Sequence, residues 1–285
     1  MADRLKPEHV EIVKKIRVLE KEIAPTSHDF KKYKNYYVPQ KLVAQSKTVL
    51  SFGVGGDVGF EKLMLHDNHN LKIELFDPTP FVQANIHGIL GGSAKKIIKG
   101  MQEEIMERYK WDDGHNQCDW EGYNKHLAKQ IKYTPYGYAP TNGKRKFYFK
   151  QIFSRSSGQA YKPEVHTKSF SAFDPTGNKT SIDVNFKNLK TIMKDRNMDH
   201  IDILKTDIEG FFPQLANEIL DNKIKFKFWA TEVELGLQGN YEQNFDEIKE
   251  LCKALGKDNY VFVNRQRQKA MLELLFLNKD ESRNI

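Results

Sequence analysis

Residues 48–65, TVLSFGVGGDVGFEKLML, place Gly53, Gly55, Gly56 and Gly59 between a β-type apolar run and a helix-type run. Glycine lets a chain turn sharply and bring backbone N–H groups against a ligand with no Cβ in the way. About twenty residues on, FDPTP sets Asp77 and Pro78 behind a second apolar run, and a carboxylate there accepts hydrogen bonds from both hydroxyls of a ribose. A glycine loop followed by such an acid fits two ligands. One is the pyrophosphate of a dinucleotide, the other the methionine and ribose of S-adenosylmethionine. A third reading needs no ligand, the glycines serving only a tight strand–helix turn.

Other apolar runs also end in chemistry-bearing residues. HIDILKTDIEG delivers Asp207 and Glu209, and FKFWATEVEL delivers Glu232 and Glu234. QIKYTPYGYA offers Tyr136 and Gly137 just past an apolar run, and the polar stretch 153–178 holds His166 and Lys168. A hydroxyl that accepts a methyl group must lose its proton to a positioned carboxylate or histidine, alignment doing most of the rest. Asp207 is the first candidate for base or acceptor orienter, Glu209 the second, and His166 would orient a sugar, a phosphate or a carboxylate. Each has a plainer alternative: a glutamate one turn into a helix caps backbone N–H groups, and a loop histidine is commonly just exposed. Asp207, Glu209 and Glu232 could converge on a divalent cation, but their spacing matches no dedicated metal motif and no metal is expected. WDDGHNQCDW (111–120) gathers ligand-type side chains without any zinc spacing and reads as a solvated loop.

The elements that must position these residues alternate. KTVLSFG and LKIELFD read as strands, each followed by a helix, FEKLMLHDN and PFVQANIHGIL. QIKYTPYGYA is a third core strand with its outgoing loop, HIDILKTD a fourth and FKFWATEVEL a fifth. This order implies parallel strands with right-handed crossovers. FKNLKTIMKDRN and FPQLANEIL are helices, with Pro213 early in the second, where its missing N–H costs little. The end differs: a helix over 242–255, then NYVFVNRQ and KAMLELLFLN as an antiparallel hairpin. KRKFYFKQ is an added β segment, and 153–178 is a long polar loop expected over the acceptor site. Residues 8–23 pattern as an amphipathic helix. Together these give an α/β fold, Rossmann-like, with a mostly parallel central sheet ending in an antiparallel hairpin. Residues 1–45 form an N-terminal helical extension and 46–285 the main domain, with inserted segments at about 91–130 and 140–180.

Bulk properties narrow the class. The 285 residues, 39% of them hydrophobic, suffice for one sizeable core. The charged N-terminus lacks the apolar centre of a signal peptide, the apolar runs are strand-length, and Cys118 and Cys252 lie far apart; a cytoplasmic protein with no membrane partner is expected. A net charge of +7 suits anionic partners but also many soluble enzymes. FKKYKNYYVPQK (30–41) mixes lysine with tyrosine as nucleic-acid surfaces do, although a solvated segment laying its tyrosines on the domain explains it more simply. No two prolines are adjacent, so the Asn/Asp-Pro-Pro-Tyr tract of amino-methylating nucleic-acid enzymes is missing, and nucleic acid is not expected as a partner.

Three features favour the methyl donor over the dinucleotide: the terminal hairpin, the acids ending the fourth strand, and the lack of a Tyr-x-x-x-Lys pair in a helix after the loop. DILKTDIEGFFPQL resembles the LKxDxEG-type signature of FkbM-like methyltransferases, and LSFGVGGDVGFE with FDPTP resembles a related SFGxGxDxxFE group. The resemblance covers roughly residues 45–278 and implies a class I S-adenosylmethionine-dependent methyltransferase fold. It implies that Phe52, Gly53, Gly55, Gly56 and Asp57 form the donor loop, that Asp77 and Pro78 meet the ribose, and that Tyr136 and Gly137 meet the adenine. It implies O-methylation of a sugar, glycan or other small hydroxyl acceptor. Ser51 stands where class I enzymes usually carry an acid, two residues before the first glycine, which leaves the donor's amino-group partner unassigned. The alternatives are a Rossmann-like NAD(P)-dependent oxidoreductase and a catalytically silent module binding nucleotide or nucleic acid.

Overall fold

A computed structural model describes residues 30–55, 58–79, 130–154, 162–171, 181–208, 210–234, 241–257, 259–265 and 271–282. The helices expected over 8–23 and after Asp77, nearly all of segment 91–130, and Gly56, Asp57 and Glu209 lie outside the described residues.

Among these residues the chain opens with a β-hairpin, β1 (Phe30–Tyr33) and β2 (Tyr36–Pro39), followed by α1 (Gln40–Gln45). Then come β3 (Thr48–Phe52), α2 (Gly59–Asp67), β4 (Lys72–Phe76), β5 (Ile131–Thr134), β6 (Tyr136–Tyr138), β7 (Gly143–Ser154), β8 (Lys162–Ser171) and β9 (Ser181–Lys187). The second half runs α3 (Leu189–Asp195), β10 (His200–Thr206), α4 (Phe212–Asn222), β11 (Lys225–Glu234), α5 (Tyr241–Gly256), β12 (Asn259–Arg265), β13 (Met271–Asn278) and α6 (Lys279–Ser282).

The central sheet has seven strands in the order β12-β13-β11-β10-β3-β4-β5. Its five inner and far strands pair in parallel, and β13 joins antiparallel to both β11 and β12. Strand order therefore reverses between β3 and β10, which puts a ligand crevice beyond their carboxyl ends. Side chains alternate across the sheet. Val49, Ile73, Leu75, Ile203, Phe228 and Ala230 pack on one face with Tyr33, Val38, Leu42, Phe60 and Met64 from the hairpin, α1 and α2. Leu50, Phe52, Phe76, Leu204, Trp229 and Phe276 pack on the other with α3, α4 and α5. Each such apolar side chain contributes about 1.5–3 kcal/mol by leaving water, so both faces are held firmly. Cys252 belongs to this core, and burial pushes its thiol up to about 12.

Three sequence expectations change. Residues 30–39 of the expected helical extension are a hairpin, closed by Lys34 in the left-handed region at φ 58°. It spends Tyr33 and Tyr36 on the core: the turn at Lys34 and Asn35 makes them cross-strand partners, which sets both rings on one face. QIKYTPYGYA is split at Pro135, which has no N–H to give a ladder, so β5 ends the central sheet while β6 starts a second one. Most of the expected loop over 153–178 that is described is strand: β8 pairs antiparallel with β7 at the edge of that second sheet, ordered β6-β9-β7-β8. An edge strand shares its backbone groups with a single neighbour and need not be apolar, so polar composition concealed it.

Candidate active site

The site is built where β3, β4, β10 and β11 end. Gly53 follows β3 with φ 68°, and its N–H donates to the carbonyl of Phe76 at 3.0 Å. A Cβ at this position would overlap the carbonyl oxygen of Asp207, whose N–H in turn donates to the Phe52 carbonyl at 3.1 Å. The three strand ends are thereby cross-linked around a residue that must be glycine. Gly55, at φ 59°, would meet none of the described residues within 4 Å if it carried a Cβ, so among them this turn of the loop borders open space. Phe52, expected at the donor, stacks its ring on Phe76 at 4.5 Å inside the core and offers the loop only its carbonyl.

Asp77 reaches across from β4. Its Oδ2 accepts the Gly55 N–H at 2.8 Å, and its Oδ1 accepts the Thr79 N–H at 2.8 Å, a turn that encloses Pro78. Burial pushes the Asp77 carboxyl above the ordinary carboxylate range, and Thr79, Gly55 and Lys205 offset this only in part. From β5, Tyr133 donates to the Asp77 carbonyl at 2.5 Å. The Thr79 hydroxyl donates to the same carboxylate, so three of its roughly four lone-pair positions are taken and one remains for a ligand hydroxyl.

Ser51 lies under the loop, fully buried, and its hydroxyl donates to the carboxylate of Glu61 in the first turn of α2. The acid absent at position 51 is thus delivered from position 61. Lys205 sits beside Ser51 in the parallel register and donates to the Gly53 carbonyl at 3.0 Å and the Phe52 carbonyl at 3.4 Å. Beyond it, Glu232 on β11 pairs directly with Glu273 on β13. Tyr36 comes into this group from the N-terminal hairpin. Burial raises its phenol far above the usual range, and Asp207, Glu232, Glu273 and Glu61 add to the rise, in that order.

The structure therefore brings together Gly53, Gly55, Asp77, Asp207 and Glu232 of the expected residues, and adds Tyr36, Ser51, Glu61, Lys205 and Glu273. It places others elsewhere. Tyr136 pairs within the second sheet with the Lys187 ammonium 4.8 Å above its ring, and Gly137 is required by the Phe186 ring packed against it. His166 is on β8, the outer strand of the same sheet, near the register shift opposite Phe149 and Gln151. Among the described residues no three His, Cys, Asp or Glu side chains are placed to hold a metal ion, and no helix is long and apolar enough to cross a membrane. Two of the missed residues left a readable trace: Glu61 follows the glycine loop ten residues after Ser51, and Lys205 stands two residues before Asp207 in KTDIEG.

A parallel sheet with an antiparallel terminal pair, a glycine loop after its central strand and an acid after the next define the Rossmann-like fold of class I methyltransferases. A family model described as the methyltransferase FkbM domain matches residues 24–262, a span that takes in the N-terminal hairpin. The chain belongs to that family. Among solved structures it is similar to the precorrin-6y C5,15-methyltransferase from Geobacter metallireducens GS-15, at 8% identity and a TM-score of 0.33, covering 91% of this chain and 96% of that one. That likeness is too weak to bear on function. A search of the curated proteins gave no match.

Proposed function

We propose that this methyltransferase uses S-adenosylmethionine to methylate a hydroxyl of a sugar, a glycan or another small acceptor. The observation that carries the donor half is the clasp of Asp77 on the Gly55 N–H, at a turn that borders open space among the described residues. When bound there, S-adenosylmethionine supplies a methyl group on a positively charged sulfur. Asp77 would hold a ribose hydroxyl, and the Gly53–Gly55 turn would line the donor's path. The carboxylates of Glu61, Asp207, Glu232 and Glu273, gathered around Tyr36, give this end of the sheet a negative field that favours a cationic donor.

Asp207 leaves the sheet at the strand-order reversal and is partly exposed, so it can take the proton of an acceptor hydroxyl. Glu209 is the second candidate for that role, and His166 would orient the acceptor from the second sheet. The resemblance to FkbM-like enzymes supports a hydroxyl acceptor. The burial of Tyr33 and Tyr36 supports a small-molecule partner over nucleic acid, because two of the three tyrosines of 30–41 are spent on packing.

Isothermal titration with S-adenosylmethionine, S-adenosylhomocysteine and NAD(P) tests the donor. Binding of the first two without the third is expected; tight NAD(P) binding alone would sink the reading. Transfer of a radiolabelled methyl group to a panel of sugars and phenols tests the acceptor, with Asp207→Asn expected to lose roughly a hundredfold or more of the rate.

A further inference from the structure

Lys205 is a lysine in a place built for an apolar side chain. It is 5% exposed, and its neighbours on that face of the sheet include Val49, Leu75 and Ile203, all fully or almost fully buried. An ammonium is costly to bury unless every advantage of its charge is used. Here the charge serves the glycine loop. Nζ donates to the carbonyls of Phe52 and Gly53, the two residues at which the chain leaves β3 and turns. On the opposite side of the turn, Asp77 takes the Gly55 N–H. The loop is held between a cation on two of its carbonyls and an anion on the Gly55 amide.

We infer that Lys205 is a positioning residue of the donor site: its ammonium fixes the Phe52 and Gly53 carbonyls while its charge faces Asp77, presetting the loop to receive the donor. This rests on the reading of the loop as a site for S-adenosylmethionine. Among the described residues the groups facing Asp77 are Lys205 from β10, the Gly55 and Thr79 N–H groups, the Thr79 hydroxyl, and Tyr133 from β5. Lys205 is the one cation of the set. Burial raises the Asp77 carboxyl, and Lys205 is among the groups that pull it back toward the ionised form. Removing the cation lets it rise further, so donor binding must begin to fail at a higher pH. A residue that merely fills space would leave that pH profile unmoved.

The test is titration of S-adenosylhomocysteine into wild type, Lys205→Arg, Lys205→Gln and Lys205→Met across the mildly acidic range, with thermal melts to show that each is folded. Glutamine keeps an N–H for the Gly53 carbonyl and drops the charge, so it stands in where methionine fails to fold. The expected result is affinity near wild type for Lys205→Arg and about tenfold or more weaker for the neutral variants. In the neutral variants the acid limb of binding should move up by roughly one pH unit. A folded Lys205→Gln with wild-type affinity and an unmoved acid limb overturns the inference and leaves the donor reading intact. Wild type that binds no S-adenosylhomocysteine overturns both.

Discussion

The Ser51 hydroxyl on β3 donates to the Glu61 carboxylate on α2, ten residues later, and both side chains are buried beneath the glycine loop. The pair sets the start of α2 against the end of β3 and holds the turn between them. It also accounts for the sequence SFGVGGDVGFE: serine at the strand end leaves room for a carboxylate arriving from the helix. A carboxylate at both positions would put two buried negative charges side by side.

That relationship predicts a compensation. Ser51→Asp alone destabilises the fold and weakens donor binding, because the two acids repel in a desolvated site. Adding Glu61→Gln restores a single charge and a hydrogen-bond partner and should recover most of the loss. Ser51→Ala should cost about 1–3 kcal/mol by taking one hydrogen bond from the buried Glu61 carboxylate. Denaturant midpoints of the single and double variants read all three outcomes.

Gly53→Ala should be among the most damaging single-methyl changes in the chain. Its φ of 68° disfavours any L side chain, and the Asp207 carbonyl occupies the place of the new Cβ. The strain and the forced separation of β3 from β10 together cost about 3 kcal/mol or more. Gly55→Ala shares a positive φ but meets open space, so it should cost only about 1 kcal/mol while obstructing the donor. Comparing melting temperatures with donor affinities separates the two: Gly53→Ala lowers both, Gly55→Ala mainly the second.

The contrast shows what a sequence discloses. The core strands β3, β4, β10 and β11 and the terminal hairpin were legible because each is an apolar run with turn residues at its ends. Gly53 and Asp77 were legible because strand order fixes where they fall. Glu61, Lys205 and Tyr36 were not, since each acts across the sheet or from another element, and a helix-face glutamate or a strand lysine looks solvated in isolation. The sheet that Tyr136 and Gly137 join was hidden for the converse reason. Spacing set them after the third strand, but Pro135 breaks the ladder and sends them into a second sheet.

Asp77 gives a stability–function trade-off. Its native carboxyl binds a proton more tightly than the unfolded chain does, chiefly because it is buried. Its contribution to stability therefore falls as pH rises through the interval between the unfolded and folded values. Asp77→Asn removes the buried charge but turns an amide NH2 toward the Gly55 or Thr79 N–H, so the two effects oppose and the ligand-free fold should stay within about 1–2 kcal/mol of wild type at neutral pH, while donor affinity drops about tenfold or more. Urea midpoints and calorimetric titration on the same preparation test both halves.

Asp202 behaves in the opposite sense. Burial alone would raise its carboxyl, but the Lys47 N–H at 2.7 Å, Lys227 at 3.1 Å and the Thr48 N–H at 3.0 Å outweigh it and lower the value. The group fastens the start of β3 to β10. Its stabilisation is fully present above the ordinary carboxylate range and is lost as pH falls through the depressed native value. Asp202→Asn should cost about 1–3 kcal/mol at neutral pH. The gap between variant and wild type should close in the strongly acidic range, below the unfolded value of about 3.9. A gap independent of pH would mean that Asp202 acts through shape and not through charge.

Tyr36 decides whether the N-terminal hairpin is scaffold or machinery. Its ring meets Phe60 edge-on at 5.3 Å, and its buried phenol lies in the field of Asp207, Glu232, Glu273 and Glu61. Both burial and those charges oppose ionisation, so the hydroxyl stays protonated throughout the working range and serves only as a neutral hydrogen-bonding group. Tyr36→Phe keeps the ring and its packing and should hold the folding midpoint within about 1 kcal/mol of wild type. If the hydroxyl orders the carboxylates that receive the acceptor, this variant loses about tenfold in kcat/KM for methyl transfer with little change in donor affinity. Wild type should show no alkaline limb from the phenol, and Tyr36→Phe should keep that shape at a lower height. Unchanged transfer in Tyr36→Phe, together with collapse of the fold in Tyr36→Ala, would assign the hairpin to packing alone.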